Sequence, residues 1–177
     1  MKTIKIILLF ITTLIVVFLA TGLYVKETKY TAQVSINKPI TEVFEVFNNP
    51  ENSKNWIPEI KFFEVINNNP GKIGSMYKIV IDNKGSDINM TEKVLAYVPN
   101  QKITLLFNAE NMLKTDDYLF TEKGNTTTLT LRASCQSETY LMACIFPYFK
   151  GTFKKQDQAY LTNFKKFIEQ KPTSDNF

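Results

Sequence analysis

The side chains of this chain that could do acid–base or nucleophilic chemistry are few. There is no histidine, so no side chain titrates near neutrality by default, and neither a Ser–His nor a Cys–His pair can form. No Gly-x-Ser-x-Gly elbow occurs. Cys135 and Cys144 fit neither a Cys-x-x-Cys pair nor a zinc-ligand spacing. They read as small buried hydrophobes, with a disulfide as the alternative in an exported domain. A transition metal would have carboxylates alone to hold it. No catalytic residue, metal ligand or cofactor is therefore expected.

Two acidic features remain. In the run "MTEKVLAYV", Glu92 shares its parity with Met90, Val94, Ala96 and Val98, which turns it inward on a strand. A buried carboxylate is costly unless paired, so an inward Glu92 would serve as a polar anchor for a ligand head group. The same cost favours the alternative, a bulge or a sheet-edge position that leaves Glu92 in water. Asp116 and Asp117, in "TDDY", read as a solvated charge pair at a strand start. Arg132, the sole arginine, has the opposite parity to Leu129 and Leu131 and is expected to face out.

Composition narrows the function classes. A net charge of +4 on 177 residues is mild, and the lysines are spread along the chain rather than gathered into a phosphate-binding groove. Together with the single arginine this argues against a nucleic-acid partner. At 44% hydrophobic, the chain can bury one good core.

The elements that position these residues begin with "MKTIKIILLFITTLIVVFLATGLYVKETK". An uncharged stretch from Ile6 to Val25 follows Lys2 and Lys5 and ends at Lys26, long enough as a helix to cross a bilayer. A cleaved signal peptide is the rival, with Ala20-Thr21-Gly22 as small residues, but the run is long for one. We read residues 1–28 as an N-terminal transmembrane anchor. The slight excess of positive charge before it predicts a single-pass protein with its soluble domain outside the cytoplasm.

From Tyr30 to Ile36 apolar and polar residues alternate, as in a half-buried strand. Pro39 then opens a short helix with Ile40, Val43, Phe44 and Phe47 on one face, and Pro50, capped by Asn49, opens a second that runs to about Trp56. Strands are expected near 60–66, 75–82, 88–98, 102–109, 115–122 and 126–136, separated by turns that include Glu110–Lys114 and the hairpin signal "EKGNT". The end, "FPYFKGTFKKQDQAYLTNFKKFIEQ", is helical, with Gly151 marking a kink or a gap between two helices. Pro172 ends it, leaving residues 172–177 as a flexible tail.

This order resembles the START-like superfamily, also called SRPBCC or helix-grip, and within it the polyketide cyclase/dehydrase-like group. The residues that carry the resemblance are "VSINKPITEVFEVFNNPENSKNWIPEIKFFEVI", "GKIGSMYKIVI" and "YVPNQKITLLF", and it covers residues 29–171. It implies an α+β helix-grip fold, with a curved antiparallel sheet of about seven strands wrapped around a long C-terminal helix, two short helices after strand one, and a cavity between sheet and helix. Strand parity then names a lining: Tyr77, Ile79, Met90, Leu105, Phe107, Tyr118 and Leu131, with Glu92 as the polar exception and Phe149 and Phe153 closing the helix side. Trp56 stands beside that cavity in the family, either as a wedge over the end of the core or on the pocket rim.

The implied function is binding of a hydrophobic small molecule (lipid, quinone or polyketide-like) by a membrane-tethered domain. One alternative is a protein-interaction module at the membrane with a filled core. Another is a cyclase/dehydrase-type enzyme relying on Glu92 and Tyr118.

Overall fold

A computed structural model describes residues 2–170 of the chain; the tail over 172–177 lies outside the described residues. Its elements are α1 (Lys2–Tyr24), β1 (Thr28–Ile36), α2 (Ile40–Asn48), a 3-10 helix (Pro50–Asn55), β2 (Ile60–Asn67), β3 (Met76–Asn83), β4 (Ser86–Val98), β5 (Lys102–Ala109), β6 (Met112–Lys123), β7 (Thr126–Gln136) and α3 (Tyr140–Gln170). This is the helix-grip architecture. One antiparallel sheet has the order β1-β7-β6-β5-β4-β3-β2, so β1 closes beside β7 while the remaining strands follow as a meander.

Local chemistry accounts for the elements. On β1 buried and exposed residues alternate, because period two puts every second side chain on the core face. The 3-10 helix begins where Asn49 Oδ1 accepts from the Glu51 amide at 3.1 Å and Pro50 occupies the first position. Gly124 sits at φ +61 in the β6–β7 turn, a conformation that side chains resist.

Helix α3 lies along β1 and β7 and leaves the far side of the sheet uncovered. Gln158 brackets Gln33, donating to its carbonyl at 2.9 Å and accepting from its amide at 3.1 Å. Phe164, Leu161 and Ile168 fill the space between helix and sheet with Leu129, Leu131 and Ala133. Burial of this kind stabilises by about 1.5–3 kcal/mol for each large side chain.

Three local expectations are corrected. The helix runs unbroken through Pro147 and Gly151 and begins at Tyr140, because its packing against β1 outweighs one glycine. Strand β6 begins at Met112 rather than at 115, so Lys114 lies on a strand and not in a turn. A bulge falls at Leu95, between the pairs Val94↔Leu105 and Ala96↔Thr104, which turns Ala96 and Val98 away from the core face and Tyr97 toward it. The bulge comes after Glu92, so it does not release that residue to solvent.

Helix α1 spans 23 residues, uncharged from Ile6 onward, and buries none of them; its length and composition suffice to cross a membrane. Its last turns touch the start of α3, where Phe18 stacks on Tyr148 at 6.1 Å and Thr21 bonds the same tyrosine's hydroxyl at 2.9 Å. A Cβ on Gly22 would stand 2.5 Å from Cys144 Sγ, so the approach needs glycine there. The hydrophobic core cluster contains no residue before Tyr30, and α1 meets the rest of the chain at α3, where Cys144 is buried beside Gly22.

Candidate ligand cavity

Because α3 covers only one end of the curved sheet, the other end stands away from it and encloses a cavity of about 550 Å³. That volume suits a small organic ligand. Strand register fixes which side chains reach it, since residues directly opposite on neighbouring strands share a face. One row runs Tyr77↔Glu92↔Phe107↔Lys114↔Cys135, and the next runs Val94↔Leu105↔Asp116↔Ala133↔Tyr30. From the helix side come Phe153, Asp157 and Tyr160. Asn83 and Lys84, in the β3–β4 turn, and Gln156 are the exposed members of the wall, so the cavity opens between that turn and α3.

Most of the wall is apolar, but a polar group occupies the part where β6 faces α3. Lys114 Nζ lies 2.7 Å from Asp116 Oδ2 and 2.8 Å from Asp157 Oδ2. The Tyr30 hydroxyl donates to Asp157 at 2.7 Å, and the Tyr118 hydroxyl reaches Asp116 at 3.4 Å. Burial works against the charge on Lys114, yet the two carboxylates outweigh it and hold the ammonium above its usual range. Asp116 is 1% exposed. Burial pushes its carboxyl up to about 6; Lys114 opposes that shift and Asp157 adds to it.

Glu92 has no hydrogen-bond partner among the described residues, and it is enclosed by protein while keeping accessible surface. The two facts agree because the surface it shows is that of the cavity. Burial, and to a lesser degree the charge of Asp116, push its pKa up to about 8. At neutral pH Glu92 is mostly a neutral carboxylic acid, able to donate or accept a hydrogen bond. Burial also raises the Cys135 thiol to about 11, which makes it a poor nucleophile.

Of the residues named from the sequence, Trp56, Tyr77, Ile79, Met90, Glu92, Leu105, Phe107, Tyr118 and Phe153 stand on the cavity wall. Two do not. Leu131 is 1% exposed and packs within the core, and of β7 it is Cys135, not Leu131, that reaches the cavity. Phe149 is 48% exposed on the outer face of α3. Trp56 combines both roles considered for it: it is 6% exposed, meets Phe164 edge-on at 4.8 Å and Phe47 at 6.1 Å, and also lines the cavity.

Asp116 is corrected from a solvated residue to a buried one, and Lys114, Asp157 and Tyr30 were missed. The signal was present: Lys114 and Asp116 share the parity of Tyr118 and Phe120, and Asp157 lies one turn from Phe153 and Leu161. Arg132 is exposed, as its parity implies. Both cysteines are buried free thiols.

The sequence matches the model of the family described as "Polyketide cyclase / dehydrase and lipid transport" over residues 27–156. No curated protein shows significant similarity to the chain. Among solved structures, the Zhui aromatase/cyclase from Streptomyces sp. R1128 superposes with a TM-score of 0.71 at 13% identity, covering 85% of this chain and 99% of that one. A START superfamily protein from Mycobacterium smegmatis gives 0.66 at 12%, covering 80% and 97%. A conserved protein from Geobacillus kaustophilus gives 0.67 at 16%, covering 80% and 95%. At these identities the likeness establishes the fold.

Proposed function

We propose that this chain, which belongs to the polyketide cyclase/dehydrase and lipid transport family, binds an apolar small molecule in the cavity between sheet and α3 while α1 tethers it to a membrane. The observation that carries the reading is a cavity of about 550 Å³, open between the β3–β4 turn and α3, walled by Ile79, Leu105, Phe107 and Phe153. A filled-core interaction module would leave no such space. Burying a ligand's apolar surface there stabilises the complex by roughly 25 cal/mol for each Å² removed from water. The tether rests on the length and apolarity of α1 and keeps the cavity near lipid-soluble cargo, with the domain on the extracytoplasmic side.

Two experiments test this. Organic extraction of the purified full-length protein, followed by mass spectrometry, should release a defined apolar compound; a clean extract that also fails to reload would remove the binding reading. After carbonate washing the full chain should remain in the membrane fraction, and a mature N-terminus near Leu23 would replace the tether with a cleaved signal.

One observation favours a second reading. Glu92 is held as a neutral acid in a cavity, the state a general acid needs. Turnover of an aromatisable or dehydratable substrate that disappears in Glu92→Gln would establish it.

A further inference from the structure

The polar part of the wall has an imbalance that bears on what the cavity accepts. Three carboxyl groups, Glu92 on β4, Asp116 on β6 and Asp157 on α3, are set against one cation, Lys114. That cation is already committed to Asp116 and Asp157. Lys72 and Lys84, the other cations of the wall, stand on the loops after β2 and β3. In this part of the wall the oxygens left without a partner belong to carboxyl groups. Glu92 faces the cavity without a hydrogen-bond partner. Among the described residues, the buried side-chain polar atoms left unpaired are Asp116 Oδ1 and Glu59 Oε2, both on residues of this wall. Each is an acceptor.

We infer that the ligand is an amphiphile whose head group donates hydrogen bonds and carries no negative charge, a long-chain amine or alcohol, with its head at Glu92 beside Asp116 and its chain along the apolar wall. The inference rests on the ligand-binding reading above. In either protonation state Glu92 keeps an oxygen that accepts from a ligand hydroxyl or ammonium. A cationic head is further favoured by the acidic excess in a site screened from water. A carboxylate or sulfate head placed beside Glu92 would meet the charge of Asp116 and Asp157 and no uncommitted cation, since Lys114 is already paired and Lys72 and Lys84 stand on the loops, and rejection by like charge is an effective source of specificity. Glu92, which keeps surface on the cavity and has no partner, explains why a donor-bearing head gains more than a bare hydrocarbon: a buried acceptor left unpaired is costly, and the head relieves that cost.

The test uses residues 27–177, first shown to unfold cooperatively, because no residue of α1 belongs to the core cluster or the cavity wall, with the neutral dye Nile red bound in the cavity. Dodecylamine, dodecanol and dodecanoate, each below its aggregation concentration, compete for the dye at neutral pH. Dodecylamine and dodecanol should displace it with at least about tenfold higher affinity than dodecanoate. Glu92→Gln should weaken dodecylamine by about tenfold or more and narrow its advantage over dodecanoate, and Asp116→Asn should act in the same direction. Dodecanoate binding as well as the amine and alcohol, or an unchanged ranking in both folded variants, would overturn the head-group assignment while leaving the cavity as a binding site. Absence of dye uptake and of any competitor binding would instead overturn the binding reading, and this inference with it.

Discussion

Lys114 on β6 and Asp157 on α3 form an ion pair of 2.8 Å across the cavity wall, joining the middle of the sheet to the helix that grips it. The same ammonium holds Asp116 at 2.7 Å, so one cation balances two carboxylates in a place where water is scarce.

Lys114→Met should therefore destabilise the domain by about 3–5 kcal/mol at neutral pH, because it strands two buried carboxylates rather than removing a surface pair. Denaturant unfolding measures this. The loss should shrink in mild acid, where Asp116 takes up a proton. A cost under about 1 kcal/mol would mean that the cluster is solvated.

Glu92 sets a pH dependence whose sign follows from its raised pKa. The folded protein holds a proton on Glu92 up to about pH 8, whereas an unperturbed glutamate releases it near 4.5. Folded protein thus binds more protons between these values, and stability declines as pH rises through that window and levels off above it. Asp116, raised to about 6, adds to the decline at its acid end. Glu92→Gln removes the larger contribution, so it should stabilise the domain at pH 9 on the order of 1–2 kcal/mol, the value being modest because Glu92 keeps surface on a cavity that opens to solvent. Unfolding curves for the two proteins between pH 5 and 9 should diverge toward the alkaline side.

Trp56 covers the end of the core against Phe47, Phe164 and Phe167. Truncation to Ala should cost about 3–5 kcal/mol, and Trp56→Phe distinctly less, since the edge-to-face contact with Phe164 survives. Thermal unfolding of the two variants distinguishes them.

The fold was legible because period and punctuation agreed. Alternation marked each strand, Pro39 and Pro50 opened the two short helices, and the Phe153–Leu161–Phe164 face fixed the last helix. The apolar wall was legible for the same reason: Ile79, Leu105 and Phe107 follow strand parity directly. The polar half was not, because charge and parity point opposite ways there. Asp116 and Lys114 continue the inward face of Tyr118 and Phe120, yet a carboxylate and an amine read as solvent-facing when considered singly; only their pairing with each other and with Asp157 makes burial tolerable. The bulge at Leu95 left no mark, since neither glycine nor a break in hydrophobicity accompanies it. Leu131 and Phe149 depended on where α3 stops covering the sheet, a tertiary fact outside the reach of periodicity.

The central claim is that the space between sheet and helix admits an apolar ligand, and cavity filling tests it most directly. Nile red titrated into residues 27–177 should show saturable fluorescence at about one site per chain. Ile79→Trp, which projects a larger side chain into the same space, should abolish that signal while circular dichroism and the cooperative unfolding transition persist. Equal dye uptake by the folded Ile79→Trp variant, or none by the wild-type domain, would contradict the account.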